Sequence, residues 1–521
     1  MITLKKIEMK IKHKNILGIA LISGLLVLSG CYKDKSTDGL LEQNKVGLSD
    51  PKTGTVINIF QGDVLNLKPT LSQSMKNNMD DLSFKWTVYD NSPSSNYTLP
   101  RFTIGEEYEL KYVVSGEDFT LGQNYLLRLT VTEKSTGLAS FLNYSLLIAN
   151  KYGTGWVVLE DKAGKGDLSF VFPDYTVEHG IYMDRNTTVL TNPRKIEIVP
   201  FSVSEDISAS GKRMYILADG GSQEYNFLTM VKKFDYSFLF FSAPPVIKPT
   251  VMNFTSGDLN SANRGAILGI AINNGKAHSN LVGGFPGVKK WGDIALTPSG
   301  TQNYELAPFA SGGSTYPAVV YDNSSKRFFY IRGYSPTPVA GSLEAFPSAA
   351  SSTDAFDMNN VGMTMLFQDS ADVVKTINAV MKSDNNQAYL FKYKTESTSS
   401  APIITLSKTQ MNAPGFLNYT AAAGSTTTPH IYYGSANKLQ KYETSSNTTA
   451  EAYSFPASEQ ITAMKYAKYS SDRTGARLVV ATWNGTEGKL YFFTINNVGD
   501  LGSASHTFTG FSKIVDVAYK Y

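Results

Sequence analysis

Trp156-Val157-Val158-Leu159-Glu160 leads into Asp161-Lys162-Ala163-Gly164-Lys165-Gly166-Asp167 and then Leu168-Ser169-Phe170-Val171-Phe172. An apolar run, a polar glycine turn and a second, aromatic-rich run make a β-hairpin. The pattern returns six times: residues 214–218 before Asp219-Gly220-Gly221, 266–272 before Asn273-Asn274-Gly275, 318–321 before Asp322-Asn323-Ser324-Ser325, 378–381 before Ser383-Asp384-Asn385-Asn386, 430–433 before Gly434-Ser435-Ala436-Asn437, and 478–482 before Asn484-Gly485. Anchored on Val158, Ile216, Ile270, Val320, Val380, Tyr432 and Val480, the units stand 48 to 60 residues apart. Hairpins at that period without helical patterning indicate an all-β body built as a β-propeller over residues 152–521. A lone blade has two apolar faces and cannot cover both; packing blades radially covers them. The run 514–521 is a strand suited to complete the blade that starts near Trp156. Seven blades fit the spacing best, with six or eight, or a long double-layer sandwich, as the alternatives.

Upstream, residues 54–150 alternate with period two. Val56-Ile57-Asn58-Ile59-Phe60, residues 64–67, 82–89, 108–114, 125–131 and 140–148 read as short strands separated by turns, which indicates an immunoglobulin-like sandwich. Alternation puts Tyr125, Leu127, Leu129 and Val131 on the buried face. Trp86 reads as core. Residues 31–53 are polar and read as a flexible tether.

At the start, five lysines (Lys5, Lys6, Lys10, Lys12, Lys14) precede the apolar run 16–28 and then Ser29-Gly30-Cys31. Its 13 residues are too few to span a bilayer, so residues 1–30 read as a signal peptide. Leu28-Ser29-Gly30-Cys31 resembles the bacterial lipobox, which implies lipid attachment at Cys31, the only cysteine of the chain. The plainer alternative is an ordinary cleaved leader followed by a chance cysteine. Removing residues 1–30 takes away five lysines and one glutamate and turns the formal charge from +3 to −1. A near-neutral chain argues against a nucleic-acid partner. Lys33 and Asp34 resemble signals that export lipoproteins to the outer face of the outer membrane; the alternative is a solvated linker.

Phe84-Lys85-Trp86-Thr87-Val88, the alternation from Tyr125 to Thr132, Thr136-Gly137, and the junction Tyr152-Gly153-Thr154-Gly155-Trp156 together resemble the PKD-like family of bacterial lipoproteins. The resemblance implies a PKD-like domain over 54–150 and an outer-membrane location facing the cell exterior. It also implies partnership with a SusC/SusD-like importer of glycans or peptides. It brings no catalytic residue with it.

The search for chemistry finds no nucleophile elbow, phosphate loop, calcium loop or two-histidine metal spacing, so no cofactor or metal is expected. His179, His278, His430 and His506 are scattered. Glu160, Asp161, Asp219, Asp258, Asp293 and Asp372 are candidates for a glycosidase-type acid pair, but nothing in the sequence joins two of them. Asp161 and Asp219 read as turn acceptors. Among 30 Tyr, 28 Phe and 4 Trp, Trp291 and Trp483 stand beside charge and glycine and are the candidate ligand-binding aromatics. For Trp483 the rival reading is a cross-strand pair. The expectation is a non-enzymatic accessory or binding subunit of an uptake complex. The alternative is a surface glycoside hydrolase or lyase with its site in the propeller channel.

Overall fold

Alternating and continuous apolar runs sort the strands into two kinds, and the fold follows that division. The structure is a computed structural model describing residues 43–520 except 62, 91–99, 116–117, 200–212, 221–222, 257–265, 282–289, 314, 332–341, 348–353, 374, 397–403 and 468–475. The leader, Cys31, Lys33, Asp34 and Asp258 lie outside the described residues. The chain is all-β; among the described residues one short α-helix, α1 (Ile181–Arg185), interrupts the strands. No described helix is long and apolar enough to cross a membrane. The chain divides into a first unit, residues 1–115 with 123–147, and a second, residues 116–122 with 148–521.

The first unit contains β1 (Val46–Ser49), β2 (Val56–Phe60), β3 (Val64–Leu67), β4 (Thr70–Gln73), β5 (Leu82–Asp90), β6 (Pro100–Gly105), β7 (Leu110–Val113), β8 (Asn124–Glu133) and β9 (Ala139–Ala149). A five-stranded sheet runs β2-β9-β8-β5-β6, and β1 pairs with β4 and β3 with β7. Alternation on β8 places Tyr125, Leu127, Leu129 and Val131 fully out of solvent. Trp86 is core: its ring lies 5.9 Å from that of Tyr144, and Nε1 donates to the Glu107 carbonyl. The tether expected through residue 53 ends earlier. Residues 46–49 form β1 and pair in register with 70–73, because Val46 and Leu48 alternate against Leu71. Only Val46 and Leu48 mark this strand as apolar, with Gly47 between them and Asp50-Pro51 after it, so it reads as loop.

The second unit continues with β10 (Gly155–Lys162), β11 (Lys165–Val171), β12 (Val177–Glu178), β13 (Leu190–Val199), β14 (Arg213–Gly220), β15 (Gln223–Asn226), β16 (Lys232–Asp235), β17 (Pro249–Ser256), β18 (Ala266–Asn273) and β19 (Lys276–Leu281). Next come β20 (Leu306–Ser311), β21 (Ala318–Asp322), β22 (Arg327–Ile331), β23 (Leu343–Glu344), β24 (Thr364–Ser370), β25 (Thr376–Lys382), β26 (Ala388–Lys394) and β27 (Thr405–Gln410). Last are β28 (Ala422–Gly424), β29 (His430–Ser435), β30 (Lys438–Glu443), β31 (Thr448–Ser454), β32 (Gln460–Ala467), β33 (Ala476–Trp483), β34 (Gly488–Ile495), β35 (His506–Phe511) and β36 (Lys513–Lys520).

These strands make antiparallel meanders, β17–β19, β20–β23, β24–β27, β28–β31 and β32–β35. A longer sheet runs β16-β15-β14-β13-β11-β10-β36, joined between β11 and β13 at Lys165 and Gly166. Among the described residues no sheet closes on itself. Each hairpin anchor named above lies on a second or middle strand. The run expected to meet Trp156 is β36, with Trp156 opposite Tyr519 and Val158 opposite Val517. The leading strands lie side by side in succession, β13, β17, β20, β24, β28 and β32, and β36 touches both β32 and β13. Buried apolar clusters fill the interfaces between successive sheets, and one more joins the β10–β11 and β13–β14 portions of the longer sheet.

Candidate functional site

The leading strands carry charge where a core strand would not. On β13, Lys195 stands beside Ile196, which is buried, and its Nζ lies 2.7 Å from Glu197 Oε1. Asp516 on β36 accepts the Ile196 N–H at 2.9 Å. On β24, Asp369 accepts the N–H groups of Ser370 at 2.8 Å and Gly424 of β28 at 2.9 Å. Gly424 permits that approach, since a Cβ there would fall 2.5 Å from the Ser370 carbonyl. Lys465 of β32 completes the group.

Electrostatics ties these residues together. Burial opposes the charge on Lys195, but Glu197, Asp516 and Asp369 outweigh it and raise its pKa. Burial raises the Asp516 carboxyl above the ordinary range, against the pull of Lys465, the Ile196 N–H and Lys195. Lys195 and Asp369 feel one another although β17 and β20 stand between their strands in the succession. Lys195 also keeps about a third of its side chain accessible (34%). On β32, Thr462 Oγ1 is shielded and has no hydrogen-bond partner within the protein. Ammonium donors, carboxylate acceptors and a hydroxyl suit a polar ligand with hydroxyl, amide or charged groups.

The candidates read from sequence fall elsewhere. Trp291 is 1% exposed and packs with Phe240, Leu239 and Tyr215, so it has no open face for a ligand. Its charged neighbours mimic a loop tip, but its carbonyl and N–H bond Phe241 and Leu239 and draw it into the core. Trp483 is half-buried at the end of β33, opposite Gln460 and Gly488. Glu160 is buried and accepts from Ser169 Oγ and from Ser512 N–H at 2.6 Å. Asp161 caps its own turn through Gly164 N–H, and Asp219 pairs with Arg194 at 2.6 Å. Asp293 is exposed and Asp372 half-exposed.

The four histidines among the described residues stay apart. His278 bonds the Gly292 carbonyl, and burial lowers its pKa. Burial likewise lowers His430. His179 Nδ1 lies 2.8 Å from Ser169 Oγ, and His506 stacks on Tyr175 at 3.7 Å. Ser169 sits between Glu160 and His179, whereas a catalytic triad places the histidine in the middle, and Ser169 is fully buried. Among the described residues no cluster of three or more His, Cys, Asp or Glu is placed to hold a metal. In the first unit a cleft of about 450 Å³ is lined by Asp50, Pro51, Lys52, Asn66, Lys68 and Thr70.

Sequence reasoning missed the interior group. Lys195, Asp369, Lys465 and Asp516 are far apart in the chain, and the usable signal was a charge inside an otherwise apolar strand, as in Ile514-Val515-Asp516-Val517.

A sequence model of the PKD-like family matches residues 31–193, which places a PKD-like domain at the N-terminal side. The matched stretch passes the unit boundary and reaches β13. No curated protein sequence matches the chain. A quinonprotein alcohol dehydrogenase-like protein from Bacteroides thetaiotaomicron aligns in structure with TM-score 0.41 and 12% identity, over 92% of this chain and 100% of that one. A candidate 6-phosphogluconolactonase from Bacteroides uniformis aligns with TM-score 0.42 and 11% identity, over 71% of this chain and 100% of that one.

Proposed function

We propose that the chain is a lipid-anchored outer-membrane protein facing the cell exterior. In this reading its second unit is a seven-bladed β-propeller, and it serves a SusC/SusD-like glycan or peptide importer as a non-catalytic accessory or binding subunit. The match to the PKD-like family carries the reading, because the matched stretch opens on Cys31, the residue at which the lipobox would be cut and acylated. The propeller is supported by the succession of leading strands, which returns through β36 to β13, and by the apolar cluster at each sheet interface. Binding is supported by the state of the interior carboxylates. Glu197 is held by Lys195, Asp516 by the Ile196 N–H, and Asp369 by two N–H groups, an arrangement fitted to holding a polar ligand.

Detergent extracts should yield the chain together with a large outer-membrane barrel protein, and Cys31→Ala should block its acylation. Repeated recovery of the wild-type chain alone would overturn the accessory role. One observation favours the hydrolase or lyase reading: Asp516 holds its proton more tightly than an ordinary carboxyl, as a general acid does. Turnover of any glycan or peptide pool that is lost in Asp516→Asn but retained in Glu160→Gln would establish that reading.

A further inference from the structure

The interior group leaves unused an aromatic surface at the edge formed by residues 231–248. The 3₁₀ turn Tyr236–Leu239 sends Tyr236, Leu239 and Phe240 into the core against Trp291. The same turn leaves Phe238 45% and Phe241 76% exposed, with Val231 at 40% and Val246 at 42% in the flanking chain. Phe241 has the greatest exposure of any large hydrophobic residue among those described. Such a concentration marks an interaction surface, whereas single exposed apolar residues do not.

Cations surround the rings. Lys290 Nζ lies 4.4 Å from the Phe238 ring centroid and Lys233 Nζ 5.3 Å from that of Phe234, while Phe234 and Phe238 stack at 4.9 Å. Lys248 is exposed nearby. Asp235 pairs with Lys232 at 3.2 Å, Lys233 lies 4.0 Å from the buried Glu224 carboxylate, and exposed Asp293 stands two residues after Trp291, so Lys248 and Lys290 leave the surface net positive. Protein interfaces are depleted in lysine and favour Tyr, Trp and Arg. Phenylalanine beside lysine suits the lipid boundary, where rings enter the acyl edge and lysine stems reach the headgroups.

We propose that this surface seats the second unit on an anionic lipid layer, with Phe238 and Phe241 entering the acyl boundary and Lys248 and Lys290 meeting phosphate. This contact goes beyond the anchor at Cys31 and does not depend on it.

The full chain carrying Ser242→Cys, labelled with an environment-sensitive dye, tests it. Ser242 is exposed beside Phe241, and the mass of the N-terminal peptide reports separately whether Cys31 is acylated or has taken dye. On vesicles containing phosphatidylglycerol the dye should shift blue and be quenched by lipid-borne nitroxide. On pure phosphatidylcholine it should not. Lys248→Glu with Lys290→Glu should weaken the signal about tenfold or more, and Phe238→Ser with Phe241→Ser should abolish it. The proposal is overturned if the dye stays as wet as at Val498→Cys, an exposed site elsewhere in the unit, on both vesicle types. It is equally overturned if the dye dries only when a co-purifying barrel protein is added, which would assign the surface to a protein partner.

Discussion

Strands β8 and β33 are both regular and antiparallel, yet they solve different problems. On β8 every second side chain is buried and those between are partly wet. On β33, Leu478, Val479, Val480 and Ala481 are all fully buried in succession. The first belongs to a sheet covered on one face, the second to a sheet with neighbours on both. Leu478 and Val480 pack toward β32 and β34 aromatics in one cluster, while Val479 and Ala481 pack toward Trp156 and Val158 in the next. The contrast teaches that a continuous apolar run reports a stack of sheets, and that the stack depends on every layer being present.

Removing a layer should have the largest effect. Truncation after Ser512 deletes β36, uncovers Val158 and leaves Glu160 without Ile514 opposite it. The second unit should lose its cooperative melt while β8 and β9 stay protected, as hydrogen exchange would show. If the second unit keeps its melting transition, the contrast fails. Next come paired core truncations. Leu129→Ala and Leu478→Ala should each cost about 2–5 kcal/mol. Leu478→Ala should fall toward the upper end because sheets on both sides prevent collapse into the cavity. Chemical denaturation with one probe in each unit would compare them, and equal costs would remove the distinction.

A smaller effect is expected at a hairpin of the second unit. Asp322 is 1% exposed and accepts N–H and O–H bonds from Glu305, Ser324 and Ser325. Burial works against its charge, yet those donors prevail and lower its pKa. A carboxyl lowered on folding contributes stability that is complete above its unfolded value of about 3.9 and is lost as pH falls through the folded value. Asp322→Asn should therefore cost about 1–3 kcal/mol at neutral pH and flatten the acid limb of a melting-temperature profile. An acid limb of unchanged slope would refute the assignment. Smallest of all, Lys438→Ala at the exposed pair with Glu451, 2.8 Å apart, should change stability by less than about 1 kcal/mol.

Much of the second unit was legible because turn chemistry and apolar runs are local signals. Val158, Ile216, Ile270, Val320, Val380, Tyr432 and Val480 each fall on a strand, and β36 pairs where its sequence pointed. The first unit was legible where alternation was long, as on β8 and β9, and obscure where a short strand carries only one or two apolar residues, as on β1 and β4. The interior charges were not legible. Lys195 and Asp516 meet only through the order of the sheets, and neither has a neighbour in sequence that betrays the other. Trp291 misled for the opposite reason: its local surroundings look like solvent, while Phe240 and Leu239, some fifty residues earlier, bury it.

The bond from Ser512 to Glu160 spans 352 positions, and that distance has a temporal meaning. During synthesis, the first sheet of the second unit waits with Trp156 and Val158 uncovered until residues 513–520 exist. Bringing such distant ends together carries a loop-closure penalty that local hairpins do not. The half-made chain thus keeps that edge unpaired until its last strand arrives, and this is the interval in which the edge is open to wrong pairing.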